Sequence, residues 1–214
     1  MSIASRNWLF GMGYLVAYVA LDALSFVQPL LKLGITPWNP DAGLTLAFLL
    51  LRGWRQAPWT AAAALTAELL VRSAPAPVFA LTSASVVIAV GYGALAFVLS
   101  RRGLDIHLAS RRAVLEFSFG AALTAFGVAS SYAAMLVLAG VLPAALAGNA
   151  IMRNWVGDVN GVLTLTPLLL ASTAARLAWP ALRAQRGLIV SQAGVLGLWV
   201  RKPAIDAPRR DSQK

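Results

Sequence analysis

The chain has 214 residues, no cysteine and a formal charge of +10, with 59% apolar and only 12% charged residues. Soluble domains average about 45–50% and 25% on those two measures. The apolar excess is gathered in long runs, so the chain reads as an all-α, polytopic membrane helix bundle of about six to eight spans, without disulfides, thiolate metal sites or thiol nucleophiles.

Trp8–Leu31 is long enough to cross and reads as a retained first span rather than a cleaved signal peptide. Asp22 lies inside it; such a carboxylate either snorkels, faces the bundle interior with a polar partner, or has a direct role. Pro37 and Pro40 then exclude helix until Asn39, a suitable N-cap, and Pro40, a suitable first helical residue. A helix over Pro40–Trp54 spans only about 22 Å, against a hydrocarbon core of about 30 Å. Either it is tucked among other helices or the Thr36–Asn39 backbone reaches membrane depth, where irregular chain must be buried or line a watery cavity. The alternative is an ordinary turn with Trp38 at the interface.

The third span, Pro58–Val71, carries Glu68, and Arg72, Pro75 and Pro77 form the following turn. In the fourth, Val78–Leu99, the row Ser85, Ala89, Gly93 suits close helix packing. Arg101, Arg102, Arg111 and Arg112 flank a polar loop holding the only histidine, His107, which reads as a loop residue. The fifth span, Ala113–Leu138, opens with Glu116 one turn after Arg112, an i, i+4 pair, and offers a small-residue face of Gly120, Thr124 and Gly127. Val141–Val156 is broken by Pro143 and reads as re-entrant or interfacial; the sixth span follows at Gly157–Ala174. Gly187–Val200 is marginal for a crossing and reads as interfacial or only partly inserted, unless it and Val141–Val156 both cross to give eight helices. These readings divide the chain into a membrane domain over 1–175, an interfacial segment over 176–200 and a basic, disordered tail over 201–214.

With the N-terminus inside, Arg6, Arg52, Arg55, Arg101, Arg102, Arg111, Arg112, Arg176, Arg183 and Arg186 fall on the cytoplasmic side, against Lys32 and Arg72 opposite. The positive-inside rule therefore predicts a cytoplasmic N-terminus and accounts for the basic charge. No RNA- or DNA-binding motif accompanies it, so nucleic acid is excluded as a partner and membrane lipid is expected.

The stretch Arg153–Gly161 is polar where a membrane chain is expected to be apolar. On a helix Asn154, Asp158 and Gly161 share one face. Asp158 is a functional-site candidate by its cost in hydrocarbon; the plainer readings are a helix cap or a pair with Arg153. No catalytic constellation accompanies it. The single histidine is in a loop, and neither a phosphate loop nor a cofactor motif is present. The chain reads as no enzyme, with no cofactor.

Two motifs carry a family resemblance. Trp38-Asn39-Pro40-Asp41-Ala42-Gly43 before Leu44–Leu51 resembles the tryptophan-proline-proline-x-small-glycine motif of the membrane-associated sensor domain of the first type (the MASE family). Asn154–Leu163, ending in Thr166-Pro167-Leu168-Leu169-Leu170, is similar to its tryptophan–glycine–aspartate signature and the proline-leucine run after it. Order and separation fit as well, over roughly Leu15 to Ala175. Asn39 stands where the family tends to have its first proline, and Glu68 replaces a common asparagine.

The resemblance implies an input module of about eight helices in the bacterial cytoplasmic membrane. It would pass an unknown small-molecule signal to a histidine kinase or diguanylate cyclase, and so serve two-component or cyclic-di-GMP signalling. No such output sequence follows within these residues, which leaves a stand-alone sensor, a truncated chain or a degenerate one. The competing reading is the substrate-binding membrane subunit of a vitamin-type transporter, against which Ala17, Ala20 and Ala23 miss the expected alanine-x-x-x-alanine docking row. A ligand-free assembly protein is a third.

The charge count places both motifs on the extracytoplasmic side. If each begins a helix, their free amides face one cavity and suit an anionic or carbonyl-bearing ligand, with Asp158 ordering the cavity or selecting a cationic or donor group. The ligand-binding candidates are Trp38, Asn39, Asp41, Asn154, Trp155 and Asp158.

Overall fold

A computed structural model describes residues 3–25, 38–73 and 76–184, with side chains over 7–25, 38–73 and 76–173. The expectations for Gly187–Val200 and the tail lie outside these residues, as do Thr36 and Pro37. The described residues form six α-helices: α1 Ile3–Ser25, α2 Pro40–Arg52, α3 Ala57–Leu70, α4 Val78–Arg101, α5 Arg111–Leu138 and α6 Ala147–Ala184. Short 3-10 turns at Trp54–Gln56 and Ala144–Leu146 precede α3 and α6. The compact unit containing the site ends at Ser172.

Three described helices are long and apolar enough to cross a membrane: α1 over Asn7–Ser25, α4 and α5. The other expected crossings are not all of that kind. α2 has 13 residues and α3 has 14, about 20 and 21 Å of helix, well short of the ~30 Å hydrocarbon layer. They are joined through Gly53, whose φ of 94° is open to glycine at no steric cost. Pro58 enters the first turn of α3, where its missing N–H has no helical partner to lose.

The separate sixth span expected from Gly157 is corrected. α6 begins at Ala147 and passes through Arg153–Gly161 unbroken, so Val141–Val156 is not a re-entrant segment of its own. The break falls at Pro143, whose φ of −59° and ψ of 135° precede the 3-10 turn. Asn, Asp and Gly lower helix propensity only modestly and do not stop a long apolar helix.

The interior is alanine-rich and threaded by tyrosines, with Tyr14, Tyr18, Leu46, Leu49, Ala63, Ala67, Tyr92, Phe117 and Val162 in one cluster. α3 packs on α4 and α1, and α4 on α5. The Ser85–Ala89–Gly93 row is buried, and a Cβ at Gly93 would lie 3.2 Å from that of Ala57 at the start of α3. Polarity is inverted relative to a water-soluble domain. Phe79, Val86, Val90, Phe119, Leu123 and Leu138 are exposed, while Asp22, Asp41, Glu68, Asn154 and Asp158 are buried. An exterior of this kind suits lipid, and buried ionisable groups in such a bundle mark function by default.

Candidate functional site

The site begins with the shortness of α2 and α3. Both helices are too short to span the hydrocarbon layer, and the start of α2 and the end of α3 meet at one cavity. Polar residues at those two ends, Asn39 and Asp41 on one side and Glu68 and Arg72 on the other, are therefore drawn inward.

Asn39 directly precedes α2 but its side chain makes no capping bond. It turns across to α6 instead. Nδ2 donates to Asp158 Oδ1 at 2.7 Å and to Asn154 Oδ1 at 3.2 Å, and the Asn39 backbone N–H donates to Gly157 O at 3.1 Å. Two glycines permit the approach. A Cβ on Gly161 would overlap the Asn39 carbonyl oxygen, and one on Gly43 would overlap the Gly161 carbonyl. Thr166 Oγ1 donates to Gly43 O at 2.8 Å, one turn deeper. Asn154, Asp158 and Gly161 thus present their shared face to the start of α2.

Asp158 takes a second donor from a residue the sequence reading did not single out. Tyr92 on α4 donates its hydroxyl to Asp158 Oδ2 at 2.9 Å. The carboxylate is thereby held by Asn39 and Tyr92 from two other helices, and its place deep within α6 rules out the helix-cap reading. Tyr92 lies about 21 Å along α4 from its start and is 1% exposed, so it closes the bottom of the site.

The second half of the site is an ion-pair cluster. Arg72 was expected in an extracytoplasmic turn. Its side chain is instead folded inward, paired with Asp22 of α1 through Nη2 and with Glu68 through Nη1 at 2.7 Å. Tyr132 of α5 donates to Glu68 Oε1 at 3.0 Å. The reason is the carboxylates: two buried acids from two helices would stand uncompensated without a cation, a larger penalty than desolvating one arginine. The i, i+4 spacing of Glu68 and Arg72, together with an acid inside the first span, was the available signal. Tyr92 and Tyr132 had a weaker one, since a tyrosine in the middle of a span must find a partner for its hydroxyl.

Between the two halves lies a cavity of about 40 Å³, lined by Tyr18, Asn39, Asp41, Glu68, Arg72, Tyr92, Tyr132, Asn154 and Asp158 among others. One water needs only ~10–15 Å³ on this measure. Of the six residues put forward from sequence, four line it: Asn39, Asp41, Asn154 and Asp158. Trp38 is half-exposed and is not among the lining residues. Trp155 faces α5, donating its indole N–H to Ala122 O at 2.9 Å and meeting Phe126 edge-on.

The expectation of two helix N-termini facing the cavity is corrected to one. Only Asp41 and Ala42 belong to a first helical turn; the amides of 154–161 lie inside α6. The case for an anionic ligand loses half its donors, because Pro143 and not Asn154 marks where α6 can start. Among the described residues no group of three or more His, Asp or Glu is arranged to hold a metal ion.

The family model MASE1 matches residues 7–208, nearly the whole chain. No curated protein and no solved structure matches.

Proposed function

Since the chain belongs to the MASE1 family of membrane-associated sensory input domains, we propose that the cavity between α2, α3 and α6 is where its signal is received. The single observation that carries this reading is the buried contact of Asn39 with Asn154 and Asp158 at the cavity wall. A closed core has no need of two amides and a carboxylate at hydrocarbon depth, whereas a ligand that competes for these bonds changes the relation of α2 to α6. Binding biases the protein only if it favours one of two helix arrangements, and a hydrogen-bonded contact between two helices is such a switchable element.

The reading extends to a multi-pass protein of the bacterial cytoplasmic membrane with its N-terminus inside and the cavity opening outward. Its receiver is a cytoplasmic histidine kinase or diguanylate cyclase. Asn39, Asp41, Asn154 and Asp158 contact the ligand, Trp38 stands at the rim, and Trp155 holds α6 against α5. Nothing favours the transporter alternative, and a sensory input domain is not a catalytic one.

Asp158→Asn keeps shape and removes charge. It is expected to change the output of the cognate signalling partner while the protein accumulates normally in the membrane. Unchanged output per folded molecule, with lowered thermal stability alone, refutes the assignment. An independent check needs no ligand: cysteines introduced by Asn39→Cys and Asn154→Cys in this cysteine-free chain should cross-link in membranes.

A further inference from the structure

Among the described residues the cavity gathers more carboxyl groups than cations. Asp41, Glu68 and Asp158 line it, while the one cation among the lining residues, Arg72, is shared with Asp22. Two lining carboxylates retain a bare oxygen. Asp41 is 7% exposed and is engaged by the Tyr18 hydroxyl and the first amides of α2, yet its Oδ1 has no partner among the described residues. Glu68 is 2% exposed and bonded to Arg72 and Tyr132 through Oε1, and its Oε2 has no partner among the described residues. Among the described residues Asp22 Oδ2 is also unmatched, and the one unmatched buried donor is Arg72 Nε. Buried acceptors of this kind are costly unless something supplies hydrogen.

We propose that the cavity binds a small ammonium cation, either ammonium itself or the primary aminium head of a small amine. This rests on the sensory reading above and names the chemistry of its ligand. An aminium group offers several N–H donors from one compact charge, matching the surplus acceptors. Its hydrogen bonds of about 2.8 Å reach oxygens that do not converge on one point. A metal ion demands close convergence at about 2.0–2.6 Å, which the described carboxylates do not provide. Tyr18, Tyr92 and Tyr132 line the same space, and their hydroxyl oxygens keep lone pairs that can accept from an N–H donor. The volume of about 40 Å³ admits a group of this size and little more. Arg72 Nε is left to meet a carbonyl or water beside the ammonium. An anion would meet three carboxylates.

The test uses the full chain in lipid nanodiscs, melted at constant ionic strength with ammonium, methylammonium, sodium or tetramethylammonium chloride. At ten times their dissociation constant, ammonium or methylammonium should raise the midpoint by about 3 °C or more. Sodium and tetramethylammonium, which lack N–H donors, should leave it within about 1 °C, and Asp41→Asn should abolish the response to methylammonium. Equal shifts from all four salts, or no shift from the two donors at roughly 100 mM, far above any physiological affinity, overturn the proposal. If Asp41→Asn fails to accumulate, calorimetric titration of the unaltered chain with methylammonium against tetramethylammonium decides the matter. Methylammonium without effect, while Asp158→Asn still alters partner output, removes the cation and leaves the sensory site standing. Methylammonium binding, with neither it nor Asp158→Asn altering output, does the reverse.

Discussion

Asn39 and Asp158, 119 positions apart, share a 2.7 Å hydrogen bond in the buried interior. The bond explains why a residue placed to cap α2 leaves that helix uncapped. Asn154 Oδ1 is held by the same amide, so Asn39→Ala strips a donor from two buried acceptors at once. The expected loss is about 1–3 kcal/mol of stability, seen as a lowered melting midpoint. Asn39→Asp, which sets a second carboxylate against Asp158, should cost more.

The glycine contact gives a sharper contrast. Gly161→Ala drives a Cβ into the Asn39 carbonyl, a backbone atom unable to swing aside. It should destabilise by about 1–3 kcal/mol or more and reduce accumulation. Gly127→Ala, on α5 with nothing within 4 Å of the new atom, should be neutral or stabilising by up to about 1 kcal/mol. Equal accumulation of the two variants would contradict the packing described for α2 and α6.

Arg72→Met leaves Asp22 and Glu68 buried together without their cation. Breaking a buried ion pair from one side costs about 3–5 kcal/mol, and loss of the folded protein from detergent extracts should report it. Adding Asp22→Asn and Glu68→Gln to Arg72→Met should restore most of the loss. An unimproved triple variant would mean that Arg72 acts through its packing rather than its charge.

A fourth expectation concerns the loop between α4 and α5. The His107 and Ala109 amides donate to Asp105 at 2.9 and 3.2 Å and hold its carboxyl below the usual carboxylate range. A depressed folded value stabilises the loop above the unfolded value, near 4. That contribution is lost as pH falls through the folded value. Exchange protection of the two amides should therefore persist at neutral pH and fade below about pH 4, and Asp105→Asn should remove this dependence.

Much of the helical plan was legible because apolar runs and prolines are local signals. Pro40 opens α2 and Arg112 pairs with Glu116 at 2.8 Å, both readable from neighbours in the chain. The start of α6 was misread because polarity at Arg153–Gly161 was taken for a break, although a helix in a protein interior tolerates polar residues that find partners. Arg72 was misplaced for the converse reason. A count of flanking charges treats every arginine as a topology marker, and it takes Glu68 one turn before and Asp22 fifty residues away to reveal this one as a counter-ion. Tyr92 and Tyr132 were missed because their partners come from α6 and α3, contacts that periodicity does not encode.

The buried polar cluster also has a consequence for how the protein is made. Asp22, Asp41, Glu68, Tyr92, Tyr132 and Asp158 come one each from α1, α2, α3, α4, α5 and α6. As the chain emerges, no early hairpin contains a complete set of partners. Glu68 waits for Tyr132 of α5, and the Asn39 amide waits for α6, the last of the described helices. A chain that ends before Asn154 lacks the residues that pair with the Asn39 amide.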